Sequence, residues 1–501
     1  MSRSAPERVS TGIDGLDEIL QGGIFRGRSY MISGTSGTGK TICGLEYLLA
    51  GVENDETGLF ISFEESATTL AENAATLGFD ISPLTILDLS PESDRFLEGQ
   101  SYDIFTPDEV EREGITETIT DTIDQVEPDR VVIDPLTQLR NLTPEEFQFR
   151  NDVASLLRYL TNRDVTVVFS TQAAFGEPDD LQFVSDGHIA IGFEEKGRVI
   201  EVTKFRGSGF QSGAHTMRIT DTGIAVFPQL QPRDHDRSFE AETIGSGIET
   251  LDTMLSGGID RGTVTVLSGP SGVGKTTLGT HFVKEAASRG ERTVIYMFEE
   301  ATETFLHRSG SIGIPIREML DTGTLAVEEI EPLMVSPDEF ARRVRTEVEN
   351  NDAKVVMIDG TAGYRLSIRG ENDDLRRELH ALCRYLRNMG ITVLLIEETT
   401  AVTGEFQATQ ENISYLADNI LFLRYLEMNS EINKAIGILK KRASDFERTL
   451  RTFEITAEGI ELGDPLTGLR GILTGTPEWR SDQREPTAPQ EPSGSADGDG
   501  H

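Results

Sequence analysis

The sequence predicts an α/β chain of two tandem domains, each a mostly parallel sheet with flanking helices. Three observations carry that reading. The stretch "SGTSGTGKT" at Ser33–Thr41 returns 235 positions later as "SGPSGVGKT" at Ser268–Thr276. Further matches follow in the same order: "LFISFEES" with "IYMFEEA", "RVVIDPLT" with "KVVMIDGTAG", and "IEVTKFRGS" with "IGILKKRAS". Ordered matches of this kind mean a duplicated domain, with length differences falling in loops. Finally, short continuous apolar runs alternate with helical patterns, the signature of parallel strands buried on both faces.

Taken in order, the first half reads "SYMISG" as a strand, residues 39–50 as a helix, then "GLFISFE", "RVVIDP" and "VTVVFST" as strands. The second half repeats this as "TVTVLSG", "TVIYMFE", "KVVMID" and "ITVLLIE". Each half closes on strands that read as antiparallel, "GHIAIGF", "RVIEVTKF" and "AHTMRITDTGIAVF" in the first. A chain of 501 residues exceeds what one hydrophobic core supports. The expected boundaries are a first domain over 1–230, a linker over 231–243, a second domain over 244–477 and a tail over 478–501. The linker lies in a polar run, Pro228–Thr243, with two prolines; the tail is rich in Pro, Gly, Ser and Asp and is expected to be disordered.

The net charge is -39, from 85 acidic and 46 basic residues. Such a surface repels nucleic acid and anionic membranes, so neither is an expected partner. An acidic, lysine-poor chain that still looks globular fits a salt-rich cytosol, where screening shortens self-repulsion, and points to a halophilic microbe. Two cysteines, Cys43 and Cys383, exclude a disulfide framework and read as small core residues. With no apolar run of membrane length and no leader pattern, the expected location is cytoplasmic.

Both repeated loops fit G-x-x-x-x-G-K-[ST], a phosphate-binding loop between a strand and a helix. The first comprises Gly34, Thr35, Ser36, Gly37, Thr38, Gly39, Lys40 and Thr41. The second comprises Gly269, Pro270, Ser271, Gly272, Val273, Gly274, Lys275 and Thr276, followed by Thr277. Backbone N–H groups and the helix N-terminus face the phosphates, the lysine reaches the outer ones, and the threonine hydroxyl binds Mg²⁺. Asp134 and Asp359 close apolar strands and are placed to hold Mg²⁺ through water. The pairs Glu64–Glu65 and Glu299–Glu300 end the strand beside the loop, where a carboxylate polarises an attacking water or accepts a hydroxyl proton, and Glu299 is a further metal candidate. A solvated helix start is the bland alternative for such pairs. Lys204 and Arg206, with Lys440 and Arg442, are spaced by two on late strands and so share one face. They read as cationic fingers for a neighbouring subunit's phosphates, or as an exposed edge pair.

On these residues the chain resembles the KaiC family, the circadian clock ATPases and kinases, through "GTSGTGKT", "FEE", the late K-x-R and the closing "LTGTPE". The resemblance implies tandem RecA-like P-loop ATPase domains in a two-tiered homohexamer, with ATP and Mg²⁺ between neighbouring subunits. It implies hydrolysis in the first tier and serine/threonine autokinase activity in the second. It assigns Glu64 and Glu65 to hydrolysis and Glu299 and Glu300 to the kinase site. Lys204, Arg206, Lys440 and Arg442 become trans-acting residues, and Phe205 and Ser208 line the same site. Thr220 and Asp221, in "ITD", touch the neighbouring nucleotide or make a simple hairpin turn. Ser414 and Thr409 are the implied phosphoacceptors. Tyr415 stands where the family's second acceptor is a threonine, which leaves an ordered two-site cycle and a clock role open. A RecA-type DNA motor and an ATP-dependent scaffold remain as alternatives. The first lacks a helix-hairpin-helix module, a basic groove or an aromatic ladder, and the second is disfavoured by intact loop and glutamate residues in both halves.

Overall fold

The computed structural model describes residues 6–91, 108–142, 145–176, 179–195, 197–367, 372–399, 413–428, 431–467, 469–470 and 478–479. Thr409 and most of the acidic tail lie outside them. The chain divides into two compact units, one comprising chiefly residues 1–230 and the other chiefly residues from 231 onward.

The first unit is built on nine strands: β1 (Ser29–Ser33), β2 (Gly58–Ser62), β3 (Thr85–Asp88), β4 (Arg130–Asp134), β5 (Thr166–Thr171), β6 (Gly187–Glu194), β7 (Gly197–Phe205), β8 (Ala214–Thr220) and β9 (Gly223–Phe227). Their spatial order is β3-β2-β4-β5-β1-β6-β7-β8-β9. The second unit repeats this with β10 (Val264–Gly269), β11 (Thr293–Met297), β12 (Leu325–Glu329), β13 (Val355–Asp359), β14 (Thr392–Glu398), β15 (Asn419–Met428), β16 (Glu431–Lys441), β17 (Arg451–Thr456) and β18 (Gly459–Pro465). Its order, β12-β11-β13-β14-β10-β15-β16-β17-β18, is the same element for element.

Six strands of each sheet run parallel and the last three join antiparallel. Two details differ from the sequence reading. "GHIAIGF" pairs in parallel with the loop strand, Tyr30 opposite Gly187, and turns antiparallel only toward β7. The edge strands β3 and β12 escape a periodicity search because they are short and only partly buried.

Alternation through the parallel strands explains their continuous apolar sequences. In β1, Tyr30 and Ile32 enter one core and Met31 the other; in β4, Val132 enters the first and Val131 and Ile133 the second. Both faces are therefore covered, as parallel sheets require. The linker residues lie against the second unit. Asn388 donates to the Pro232 carbonyl (2.7 Å), Arg237 N–H donates to the Asn388 carbonyl (2.9 Å), and His235 meets Tyr385 edge-on with ring centroids 5.0 Å apart. Cys43 and Cys383 are unpaired and buried, as core residues are.

Candidate functional site

Each loop strand hands the chain to a helix that begins at the lysine: α1 (Lys40–Val52) and α2 (Lys275–Ser288). The residue capping each helix is a glycine in the left-handed region, Gly39 at φ 107° and Gly274 at φ 116°. A side chain there would be strained, which is why the motif places glycine before lysine. The loops curl around their own lysines. Lys40 Nζ donates to the carbonyls of Gly34 (2.8 Å) and Thr35 (3.0 Å), and Lys275 Nζ donates to Pro270 (2.9 Å). Burial holds both ammonium groups below the usual lysine range, while nearby carboxylates oppose that shift.

The aspartates stand where the sequence placed them, at the ends of β4 and β13. Thr41 Oγ1 donates to Asp134 (2.6 Å) and Thr276 Oγ1 donates to Asp359 (3.1 Å). Asp134 also accepts a hydrogen bond from Ser170 on β5. Register puts Ile396 at the Ser170 position in the second unit, since Ile32 pairs with Ser170 and Leu267 with Ile396. With a single hydroxyl beside it, the Asp359 carboxyl is pushed up to about 6 by burial, against the pull of Thr276 and Arg308. Among the described residues no cluster of three His, Cys, Asp or Glu could cage a metal. A threonine hydroxyl beside a carboxylate fits Mg²⁺, which keeps waters and phosphate oxygens in its shell.

Phe63 N–H donates to the Asp134 carbonyl and Phe298 N–H to the Asp359 carbonyl, each at 3.0 Å, so both glutamate pairs start beside an aspartate. Their settings then diverge. Glu64 accepts from Gln138 (2.7 Å) and Gln172 (2.6 Å), and Glu65 accepts from Asn73 (3.1 Å). In the second unit Arg308 pairs with Glu300 at 2.8 Å, and Glu398 takes the place of Gln172 after the strand-end position. Sequence reasoning missed Gln138, Ser170, Gln172, Arg308 and Glu398. The matched repeats did hold a signal, because "FSTQ" facing "LIEE" departs between halves that otherwise agree.

A cavity of about 410 Å³ in the first unit gathers much of the predicted set: Ser36, Gly37, Gly39, Lys40, Thr41, Glu64, Glu65 and Asp134, with Gln172 and Ile219. Thr220 stabilises the following turn by donating to the Gly223 carbonyl (2.9 Å), while Asp221 is exposed. Other expected residues stand elsewhere. Phe205 is a core residue, its ring stacked on Phe25 (5.4 Å) and Tyr30 (5.8 Å), so its side chain does not line a nucleotide site in its own domain. Ser208 accepts from Arg8 at 2.6 Å.

Both members of each K-x-R pair meet the segment that precedes the strand beside the loop strand, Lys204 and Arg206 at residues 182–186 and Lys440 and Arg442 at residues 414–418. A register shift in β7 and another in β16 precede the lysine, and the arginine lies one residue past each strand. Lys204 Nζ turns back onto the carbonyls of Gln182 and Ser185, and Lys440 Nζ onto Ser414 (3.1 Å) and Ala417 (2.6 Å). Arg206 and Arg442 remain exposed. Ser414 is half-buried in a short turn, and the Tyr415 ring stacks on His380 at 6.0 Å.

Two nine-stranded sheets of identical order, each with a phosphate-loop helix beside its central strand, define a protein of tandem RecA-like P-loop domains. The family described as "ATPase: KaiC" matches residues 9–231 and again 244–467, and the chain belongs to that family of ATPases. Similar proteins include the circadian clock oscillator protein KaiC of Acaryochloris marina, 29% identical over 94% of this chain and 91% of the relative. The KaiC of a Picosynechococcus species is also 29% identical, over 94% and 92%. KaiC 1 of a Synechocystis species is 28% identical over 95% and 92%.

Proposed function

We propose that this chain hydrolyses ATP in its first domain and transfers phosphate from ATP to Ser414 in its second, within a homohexamer whose nucleotides lie between subunits. The observation that carries the reading is the completeness of both sites: loop lysine, Thr–Asp pair and Glu pair come together in each half. Thr41 with Asp134, and Thr276 with Asp359 and Glu299, would hold Mg²⁺, which when bound neutralises charge between the β- and γ-phosphates.

In the first domain Lys40 exchanges its loop carbonyls for the outer phosphates. Glu64, steadied by Gln138 and Gln172, takes a proton from water as the water attacks the γ-phosphorus. In the second domain Glu299 or Glu300 takes the proton of the acceptor hydroxyl instead. Lys440 holds the Ser414 carbonyl, which limits how far the acceptor turn can drift. Arg206 and Arg442 reach the neighbour's phosphates and stabilise transition-state charge.

The test is incubation with Mg-ATP at high salt, followed by phosphate-release measurement and phosphosite mapping by mass spectrometry. The expected result is free phosphate together with modification of Ser414. Changing Glu64 and Glu65 to Gln lowers phosphate release by about tenfold or more while ATP binding persists. Changing Glu299 and Glu300 to Gln removes the Ser414 label. Hydrolysis without any protein-bound phosphate would overturn the kinase assignment and leave the motor.

A further inference from the structure

The exposed arginines, Arg206 and Arg442, have the same unusual support in both domains. Asp186 and Asp418 each stand just before the strand that pairs with the loop strand, β6 and β15. In the first unit Asp186 N–H donates to the Ser29 carbonyl (2.7 Å), Ser29 N–H donates to the Asp186 carboxylate (3.4 Å), and Arg206 N–H donates to the Asp186 carbonyl (2.9 Å). The second unit repeats all three contacts. Asp418 N–H donates to the Val264 carbonyl (2.8 Å), Val264 N–H to the Asp418 carboxylate (3.1 Å), and Arg442 N–H to the Asp418 carbonyl (3.2 Å). In each case one carboxylate oxygen is turned to the start of the loop strand and the other faces the arginine. Arg206 Nη1 lies 3.6 Å from Asp186 and Arg442 Nη1 3.1 Å from Asp418.

We infer that Asp186 and Asp418 are positioning residues that aim Arg206 and Arg442, so that each finger is set in register with its own domain's phosphate loop. The inference rests on the trans-finger reading above. An arginine side chain has many rotamers, and holding it by one nitrogen removes most of that freedom before the neighbour's phosphate arrives. Contact through Nη1 leaves Nη2 and Nε of Arg206 as donors for a phosphate, while Arg442 Nη2 also donates to the Tyr415 carbonyl (3.5 Å) and leaves Nε. The anchoring bond runs to the first residues of β1 and β10, the strands that end in the loops. A rigid strand thus fixes both the loop serving one nucleotide and the arginine serving the next. The two copies differ in strength: the Asp418 side chain is 7% exposed and also meets Arg387 Nε at 3.6 Å, whereas Asp186 is 29% exposed.

The test is Asp186→Asn in the full chain at high salt. Asparagine keeps an oxygen for Ser29 N–H but can present an amide donor to Arg206, which releases the finger without removing the anchor. The expected result is a fall in kcat for phosphate release of about tenfold, part of the far larger effect of an arginine finger, with KM for ATP within about twofold. Asp186→Asn chains mixed with Lys40→Ala chains regain activity, because the lysine variant supplies a correctly aimed Arg206. Arg206→Ala serves as the reference. If Arg206→Ala loses activity while Asp186→Asn matches the wild type, the aiming role is overturned and the finger stands. If Asp186→Asn loses activity that mixing cannot restore, its defect is confined to its own site and the inference is again overturned. An unaffected Arg206→Ala variant overturns the finger reading itself. The same substitution at Asp418, read by Ser414 labelling, repeats the test in the second domain.

Discussion

Glu46 gives the sharpest quantitative prediction, because a buried carboxylate sits behind the cavity of the first unit with one hydrogen-bond donor among the described residues. It lies on α1, 8% exposed, and accepts a single bond from Ile224 N–H at 2.8 Å, while its other oxygen is buried without a hydrogen bond. Burial pushes its carboxyl from 4.5 up to about 7. The native state therefore holds this proton more tightly than the unfolded chain does, and stability falls as pH rises from the unfolded value toward the folded one. Between about pH 5.5 and pH 8 the loss from this one group comes to about 2 kcal/mol, from about 1.4 kcal/mol per pKa unit and the fraction titrated. Glu46→Gln keeps an oxygen for Ile224 N–H and imitates the protonated form, so it abolishes that pH dependence. Denaturant unfolding of wild type and variant at both pH values, at fixed high salt, measures it. The variant's stability relative to wild type should rise by about 2 kcal/mol across the interval, independently of any constant packing difference. Parallel pH profiles for the two proteins would refute the reasoning. The consequence reaches function, since the hairpin that Glu46 holds carries Ile219 into the cavity wall.

Three further outcomes follow from the geometry. Gln172→Ala removes one of the two amides that hold Glu64 and should lower kcat for phosphate release by about threefold to tenfold, a fraction of full general-base assistance, with little change in ATP affinity by equilibrium titration. Neither cysteine should react with a thiol-specific maleimide until the protein unfolds, because burial raises both thiols, Cys383 to about 12; this is checked by mass spectrometry before and after denaturant. Asp134→Asn should abolish Mg²⁺-dependent hydrolysis in the first domain, read as the loss of the difference in phosphate release with and without chelator in a chain whose second loop is disabled by Lys275→Ala.

The exchange at the Glu46 position also marks the limit of the sequence. Its counterpart 235 residues on is His281, likewise buried on the loop helix and held down to about 4 by burial, so that it is neutral where Glu46 is titrating. Nothing in a linear pattern distinguishes a glutamate on the buried face of a helix from one in solvent until the hairpin of β8 and β9 is folded over it.

The sequence by itself determined the duplication, the α/β class, the two phosphate loops and the aspartates that meet their threonines. These are local or strictly repeated features: a loop of fixed spacing between an apolar strand and a helix has one backbone solution, and the repeat supplies each motif with an internal control. Only the tertiary structure decided the rest. It placed Phe205 in a core by stacking it on Phe25 and Tyr30, residues some 180 positions away. It turned Lys204 and Lys440 onto the carbonyls of Gln182 and Ser185 and of Ser414 and Ala417, residues more than fifteen positions away in the chain. It brought Gln138 and Gln172 from two other elements onto Glu64, and Asp186 and Asp418 onto the exposed arginines. Such contacts depend on which strands become neighbours and in what register, which is set by packing across the whole sheet and by no residue's immediate neighbours in the chain.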